Sequence, residues 1–241
     1  MYDLAEGSSQ FLAEGSWPVV SPDGSQVLYA GSAGLEIYDL DRGEIRLLPG
    51  TDPGDYRMSW SPAGDRIAFI RSSTRHIMTI NSDGSNQQVV VDNSAIYHGL
   101  VGWSASNQLL ITAPGPQGVI VQALDLASGV TEDLFVMSSN KADTVISPDG
   151  AWIAYTNSRG GMLGNGLYIS RLDGSQARLL AALDGRALYF PIWSPDGNWL
   201  ILSLSDSSDP VDQMAQALVS LDACVIAALP DLGGEVYSWG Q

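Results

Sequence analysis

The side chains that most often carry chemistry are scarce in this 241-residue chain, which has two histidines (His76 and His98), one cysteine (Cys224) and one lysine (Lys141). A Ser-His-Asp triad would need one of those imidazoles beside an activated serine, and nothing in the pattern puts either there. Gly102-Trp103-Ser104-Ala105-Ser106 is one residue short of a Gly-x-Ser-x-Gly elbow, and it belongs to a strand rather than to a strand-to-helix turn. Two imidazoles and one thiol fall short of a zinc set, and Lys141 has no glycine-rich phosphate loop around it. Asp206, Asp209 and Asp212 sit three apart in a serine-rich loop. Calcium accepts clustered carboxylates, but the spacing is not that of an EF-hand, and a solvated acidic loop is the favoured reading. Asn81–Asn86 has a similar oxygen-rich look, yet Asp173-Gly174-Ser175 at the equivalent place marks it as hairpin chemistry. The expectation is a chain without catalytic residues, metal or cofactor, one that binds and does not catalyse.

What must position any binding residues is a repeat. Ser-Pro-Asp-Gly occurs at Ser21–Gly24, Ser147–Gly150 and Ser194–Gly197, with a near copy at Ser61–Gly64. A large apolar residue precedes each (Val20, Ile146, Trp193, Trp60) and a short apolar run follows. Trp103 and Trp239 complete a series with steps of 40, 43, 43, 47 and 46 residues. Self-similarity at this period marks a radial array with about four strands per unit.

One unit, 55–91, reads as four short strands. Tyr56–Trp60 ends in the Ser61-Pro62-Ala63-Gly64 turn, whose proline fixes φ and whose glycine frees the exit. Arg66–Ile70 is apolar throughout, as a strand buried on both faces would be. His76–Ile80 and Gln87–Val91 then form a hairpin over Asn81-Ser82-Asp83-Gly84. Such a unit is a propeller blade. The third unit departs most, with Ala105-Ser106-Asn107 where the others have Pro-Asp-Gly. Only Asp212–Ala217 leaves room for a turn of helix.

The ends complete the pattern. Met1–Gly7 resembles Ile37–Gly43, so the chain starts inside a third strand, and it stops just past a first strand at Trp239. The fold expected is all-β: a six-bladed β-propeller of four-stranded antiparallel blades in one domain over 1–241. Its last blade is closed by N- and C-terminal strands, which avoids a free edge; that blade lacks one strand, as in a piece of a longer chain.

In such blades the Ser-Pro-Asp-Gly turns and the Asp-Gly hairpins share one end of the propeller, and their aspartates do structural work. The opposite end carries the irregular loops, where binding residues concentrate on a rigid frame. It contains Trp17, Tyr56, Arg57, Tyr97, His98, Arg159, Arg186 and Tyr189, with the glycine-rich loop Asn157–Asn165 and the long loop Leu204–Met214. Aromatic and arginine side chains dominate interface energetics. Those nearest the start of an innermost strand (Trp17, Tyr56, Arg57 and Tyr189) are expected to rim the channel, although Trp17 and Tyr189 could instead pack between blades.

Charge narrows the partners. Eleven Lys and Arg against 27 Asp and Glu give −16, which repels nucleic-acid phosphates and anionic lipid; it either favours a basic protein or peptide or simply keeps the protein soluble, the second being the preferred reading. No apolar stretch approaches the length of a membrane span, so no membrane insertion is expected, and Met1-Tyr2-Asp3-Leu4 has neither the basic start nor the apolar middle of a signal peptide. Cys224 lies in an apolar run and reads as a buried, inert thiol. The protein is expected to act as a monomer.

The form Trp-Ser-Pro-Asp-Gly-x-x-Ile-Ala-Tyr, then an Ile-Tyr-Asp-Leu-Asp-x-Gly hairpin, then Arg-Leu-Leu, resembles the WD40-like repeat of TolB-type β-propellers. Trp193–Trp199, Trp60–Phe69 and Ile146–Tyr155 match it best, and the Gly-His and Trp-Asp signatures of ordinary WD40 propellers are absent. The resemblance implies a bacterial, extracytoplasmic propeller that binds proteins or peptides. Similar repeats build the non-catalytic propellers of prolyl-oligopeptidase-like hydrolases and some sugar-lyase propellers. The alternatives to a free-standing binding module are therefore a hydrolase propeller without its catalytic domain, or a carbohydrate-binding or lyase propeller.

Overall fold

A computed structural model describes residues 2–3, 8–93, 99–137, 143–157, 166–182, 186–206, 215–222 and 226–228. Within them the chain is an all-β propeller of five four-stranded antiparallel blades around a central cavity. In each blade the strands follow one another outward in chain order. The innermost strands are Ser16–Val20, Tyr56–Trp60, Gly99–Trp103, Thr144–Ile146 and Arg186–Trp193. The second strands are Gln26–Ala30, Arg66–Ile70, Leu109–Gly115, Trp152–Asn157 and Trp199–Asp206.

The repeated tetrapeptide earns its place through its serine. In blades one, four and five the Gly24, Gly150 and Gly197 amides donate to the carbonyls of Ser21, Ser147 and Ser194, closing the turn. Each serine hydroxyl accepts from the first amide of the next strand (Gln26, Trp152, Trp199) and donates to the turn aspartate (Asp23, Asp149, Asp196). Blade two has Ala63 in the aspartate's place, and Asp65 takes over, accepting from the Ser61 hydroxyl at 2.7 Å. The divergent third unit makes the same turn. Asn107 donates to the Ser104 carbonyl at 2.9 Å with φ +65°, and asparagine is among the few non-glycine residues that tolerate the left-handed region.

Second strands are buried on both faces, as their composition requires; Ile67, Ala68, Phe69 and Ile70 are fully inaccessible. Side chains from neighbouring blades then merge into four interblade cores. The repeat tryptophans Trp60, Trp103 and Trp193 are buried in three of them. Each indole N–H donates across the interface to a carbonyl on the preceding blade's innermost strand: Val19, Ser59 and Val145, at 3.2–3.3 Å. Those acceptors are equivalent, each one residue before the strand's terminal apolar residue. Between blades three and four, Ile146 offers no such donor, and Tyr155 and Tyr168 stack at 5.6 Å in that interface instead.

At the N-terminus, Tyr2–Asp3 pairs with Ser8–Ser9, Tyr2 opposite Ser9 and Asp3 opposite Ser8. Blade one pairs Tyr38 with Ile45 and Asp39 with Glu44, the same register in the same sequence frame. The strand expected beside this hairpin, ending at Trp239, lies outside the described residues, as does Cys224. The turn of helix allowed at Asp212–Ala217 is corrected, because Ala215–Ser220 is a strand, paired from Ala215 to Leu204 onward.

Candidate functional site: the channel mouth

The innermost strands start at the end of the propeller opposite the Ser-Pro-Asp-Gly turns, and three of them start with the same irregularity. In blade one, Ser16 pairs with Ala30 and Val19 with Leu28, so Trp17 and Pro18 together face one residue of the neighbouring strand. Arg57 with Met58 and Phe190 with Pro191 repeat this in blades two and five. Each is a β-bulge, a device that re-aims a side chain. Its first residue is in the left-handed region: Trp17 at φ +58°, Arg57 at +52° and Phe190 at +49°. For a bulky residue that conformation costs roughly 1–2 kcal/mol. Three bulky side chains are therefore turned towards one place against a local backbone penalty.

That place is a cavity of about 190 Å³ at the propeller axis, lined by residues from all five blades. Trp17, Arg57, Leu100, Asp143 and Phe190 hold equivalent positions in it, each three residues before the apolar residue that ends its innermost strand. The Trp17 and Phe190 rings meet edge to face, centroids 6.1 Å apart. Arg57 Nη2 reaches across from blade two to Asp143 Oδ1 of blade four at 3.0 Å, and the Phe190 amide of blade five donates to Asp143 Oδ2 at 3.3 Å. One carboxylate thus ties three blades together at the mouth. Arg57 and Asp143 are the only charged residues in the described lining. The rest is largely apolar, with Val19, Met58, Val145 and Ile192 behind the two rings.

The expected residues divide as follows. Trp17 and Arg57 line the mouth. Tyr56 and Tyr189, expected to rim it, do not: Tyr56 packs against the core between blades two and three, and Tyr189 lies half-buried with its ring tilted against Phe190. The bulge explains the correction, because it sends the residue after each tyrosine to the channel and turns the tyrosine away. Tyr97, His98 and Arg159 lie outside the described residues, as do the side chain of Arg186, most of the Asn157–Asn165 loop and the Asp209–Asp212 stretch. Reading residue types missed Asp143 and Phe190. The signal was present, since both stand in the repeat where Trp17 and Arg57 stand. Among the described residues no cluster of three His, Cys, Asp or Glu side chains could hold a metal ion.

Electrostatics elsewhere is structural. Hydroxyl and amide donors in the turns hold the Asp23 and Asp196 carboxyls below the usual range, led by Ser21 and Ser194. Asp55, fully buried where blade one hands over to blade two, goes the other way. Burial pushes its carboxyl up, against the Asp52 and Ser72 amides and the Arg71 guanidinium, whose Nε lies 3.4 Å away.

Comparison with known proteins agrees with the fold. The chain is a β-propeller similar in structure to the protein assigned as a TolB in Agrobacterium tumefaciens (TM-score 0.67, 22% identity, 88% of this chain and 78% of that one). It is likewise similar to TolB from Acinetobacter baumannii (TM-score 0.66, 16% identity, 88% and 51%). An oligogalacturonate lyase solved with manganese shares the architecture (TM-score 0.61, 16% identity, 88% and 63%). In sequence, 87 residues are 31% identical to an Aspergillus clavatus protein assigned as dipeptidyl peptidase 4, covering 35% of this chain and 11% of that protein. The chain thus matches about a tenth of that relative's length. No protein-family model matches the chain.

Proposed function

We propose that this propeller is a non-enzymatic module that binds a protein or peptide at the channel mouth and the loop face around it. The observation that carries the reading is the set of left-handed bulges that present Trp17, Arg57 and Phe190 to one cavity. Strain of this kind persists where the surroundings over-determine it and clusters at ligand sites. An aromatic pair beside an arginine is also the composition of an interface hot spot. The partner carries a basic segment, drawn by the net charge of −16 and held off as salt rises. The ring has six blades, the sixth built from the Tyr2–Ser9 hairpin and the strand ending at Trp239; the hairpin's blade-like register supports this.

The test is recovery of a partner from a cognate lysate by wild type beside a Trp17/Arg57/Phe190 triple alanine variant. Loss of one specific partner is the expected result. Identical recovery removes the mouth as the site, and turnover of a peptide or glycan by the chain alone overturns the non-enzymatic reading. A second reading, the propeller of a larger hydrolase, is favoured by the 31% match to the Aspergillus protein. It predicts that a catalytic domain supplied in trans would cleave peptides in a way that depends on Arg57.

A further inference from the structure

The two charges at the mouth are unequally satisfied. Asp143 has both oxygens engaged, Oδ1 by Arg57 and Oδ2 by the Phe190 amide. A guanidinium has five N–H donors in a planar fork, and Arg57 spends one of them, on Asp143. Among the described residues its other four donors have no partner, and its side chain is 39% exposed. One end is anchored across the channel, and the backbone at φ +52° fixes where the chain departs. Such a fork is built for a second carboxylate, because arginine pairs with carboxylates in two parallel hydrogen bonds. The surroundings add a further constraint. The cavity beneath is apolar and, at about 190 Å³, smaller than the roughly 300–1,000 Å³ of a site for a drug-sized ligand. It has room for one side chain, not for a folded segment.

Resting on the binding reading above, we propose that Arg57 receives the free C-terminal carboxylate of a peptide whose last, apolar side chain enters the cavity beside Phe190 and Met58. The body of the peptide is cationic, since the field of a −16 protein favours a basic chain outside the mouth. Asp143 is the positioning residue. It holds the guanidinium across the channel.

Three short peptides test this: acetyl-Lys-Ser-Phe with a free carboxylate, the same peptide as its C-terminal amide, and acetyl-Lys-Glu-Phe amide, which carries its carboxylate on a side chain. Binding is followed by calorimetry and by the NMR signals of the Trp17 indole and the Arg57 Nε–H. The free acid is expected to bind at least about tenfold more tightly than the amide, as charge-assisted hydrogen bonds warrant. Arg57→Gln should erase that preference and Arg57→Lys keep part of it. The acid–amide comparison is made on the wild-type chain, so it stands even if a variant folds poorly. Equal binding of acid and amide, with the Trp17 signal moving for both, would leave the mouth a peptide site and overturn the carboxylate assignment. A glutamate-bearing amide as tight as the free acid would overturn the chain-end assignment. Displacement of the free acid by galacturonate, dependent on Arg57, would overturn the peptide in favour of a sugar acid. No signal change with any peptide would sink this inference, while the recovery from lysate decides the binding reading on its own.

Discussion

Trp103 is the position where the interblade architecture can be measured most cleanly. Its ring is 4% exposed, its indole N–H donates to the Ser59 carbonyl at 3.2 Å, and the Arg66 guanidinium lies over the ring at 4.7 Å. Trp103→Ala is expected to cost about 3–5 kcal/mol, the range for deleting a core aromatic. Within that, the hydrogen bond accounts for about 1 kcal/mol and the guanidinium contact for about 0.5–1 kcal/mol at a partly exposed site. Trp103→Phe keeps most of the packing and loses the indole hydrogen bond, while the Ser59 carbonyl stays in the ladder with Ala68, so about 0.5–1.5 kcal/mol is expected. Arg66→Ala should cost about 0.5–1 kcal/mol in the wild type and clearly less in the Trp103→Ala background, since the two share one contact. The assay is urea unfolding followed by far-ultraviolet circular dichroism, because fluorescence would mix the lost chromophore with the other tryptophans. Thermal midpoints should fall by about 6–20 °C for the alanine variant, at about 2–4 °C per kcal/mol for a chain of this size. A loss below about 1 kcal/mol for Trp103→Ala, or a phenylalanine variant as damaged as the alanine one, would refute the interblade staple.

Asp143→Ala removes the acceptor of both Arg57 and the Phe190 amide; it should cost about 1–3 kcal/mol and speed hydrogen exchange at the Phe190 amide, whereas Asp143→Asn, which keeps an oxygen, should protect that amide. Arg71→Met removes the cation beside the buried Asp55 carboxylate, leaving it only the Asp52 and Ser72 amides, and should cost about 3 kcal/mol near neutral pH. Because burial raises the Asp55 carboxyl in the folded state, the folded protein takes up its proton first. The loss should therefore shrink as pH falls through that raised value, measured by urea unfolding between neutrality and acid. Asp196 is the opposite case, held low by the Ser194 hydroxyl: its stabilisation is present above the unfolded carboxyl pKa and is lost as pH falls through the folded one. Ser194→Ala should thus be most damaging near neutrality and progressively less so in acid, in the same unfolding series. Asn107→Gly should be neutral or slightly stabilising, and Asn107→Ala should cost about 1–2 kcal/mol, because φ +65° suits glycine and strains alanine.

The blade count within the described residues, the antiparallel order and the burial of Trp60, Trp103 and Trp193 were all legible in the sequence. These features follow from local rules. Ser-Pro-Asp-Gly fixes a turn by its own dihedrals and hydroxyl, and so short an apolar run between two turns has the length of a strand buried on both faces rather than of a helix. Even the Ala105-Ser106-Asn107 departure was a local matter, resolved by one residue that tolerates positive φ. The site was legible only in part. Trp17 and Arg57 could be singled out by type and by nearness to a strand start, but the same nearness singles out Tyr56 and Tyr189, and a period-two pattern does not say which of two neighbours reaches the channel. The bulge breaks that alternation, and its extra residue is invisible to a period-two pattern because it is specified by packing against the neighbouring strand. Asp143 could not be valued from its own surroundings at all. Its partners are 86 and 47 residues away, on blades brought face to face only when the ring assembles. The sequence alone determined the repeating element, since each blade is written in contiguous residues. Tertiary structure decided which side chains meet at the axis, because a contact between blades depends on how every intervening blade packs, and no local stretch of chain encodes that distance.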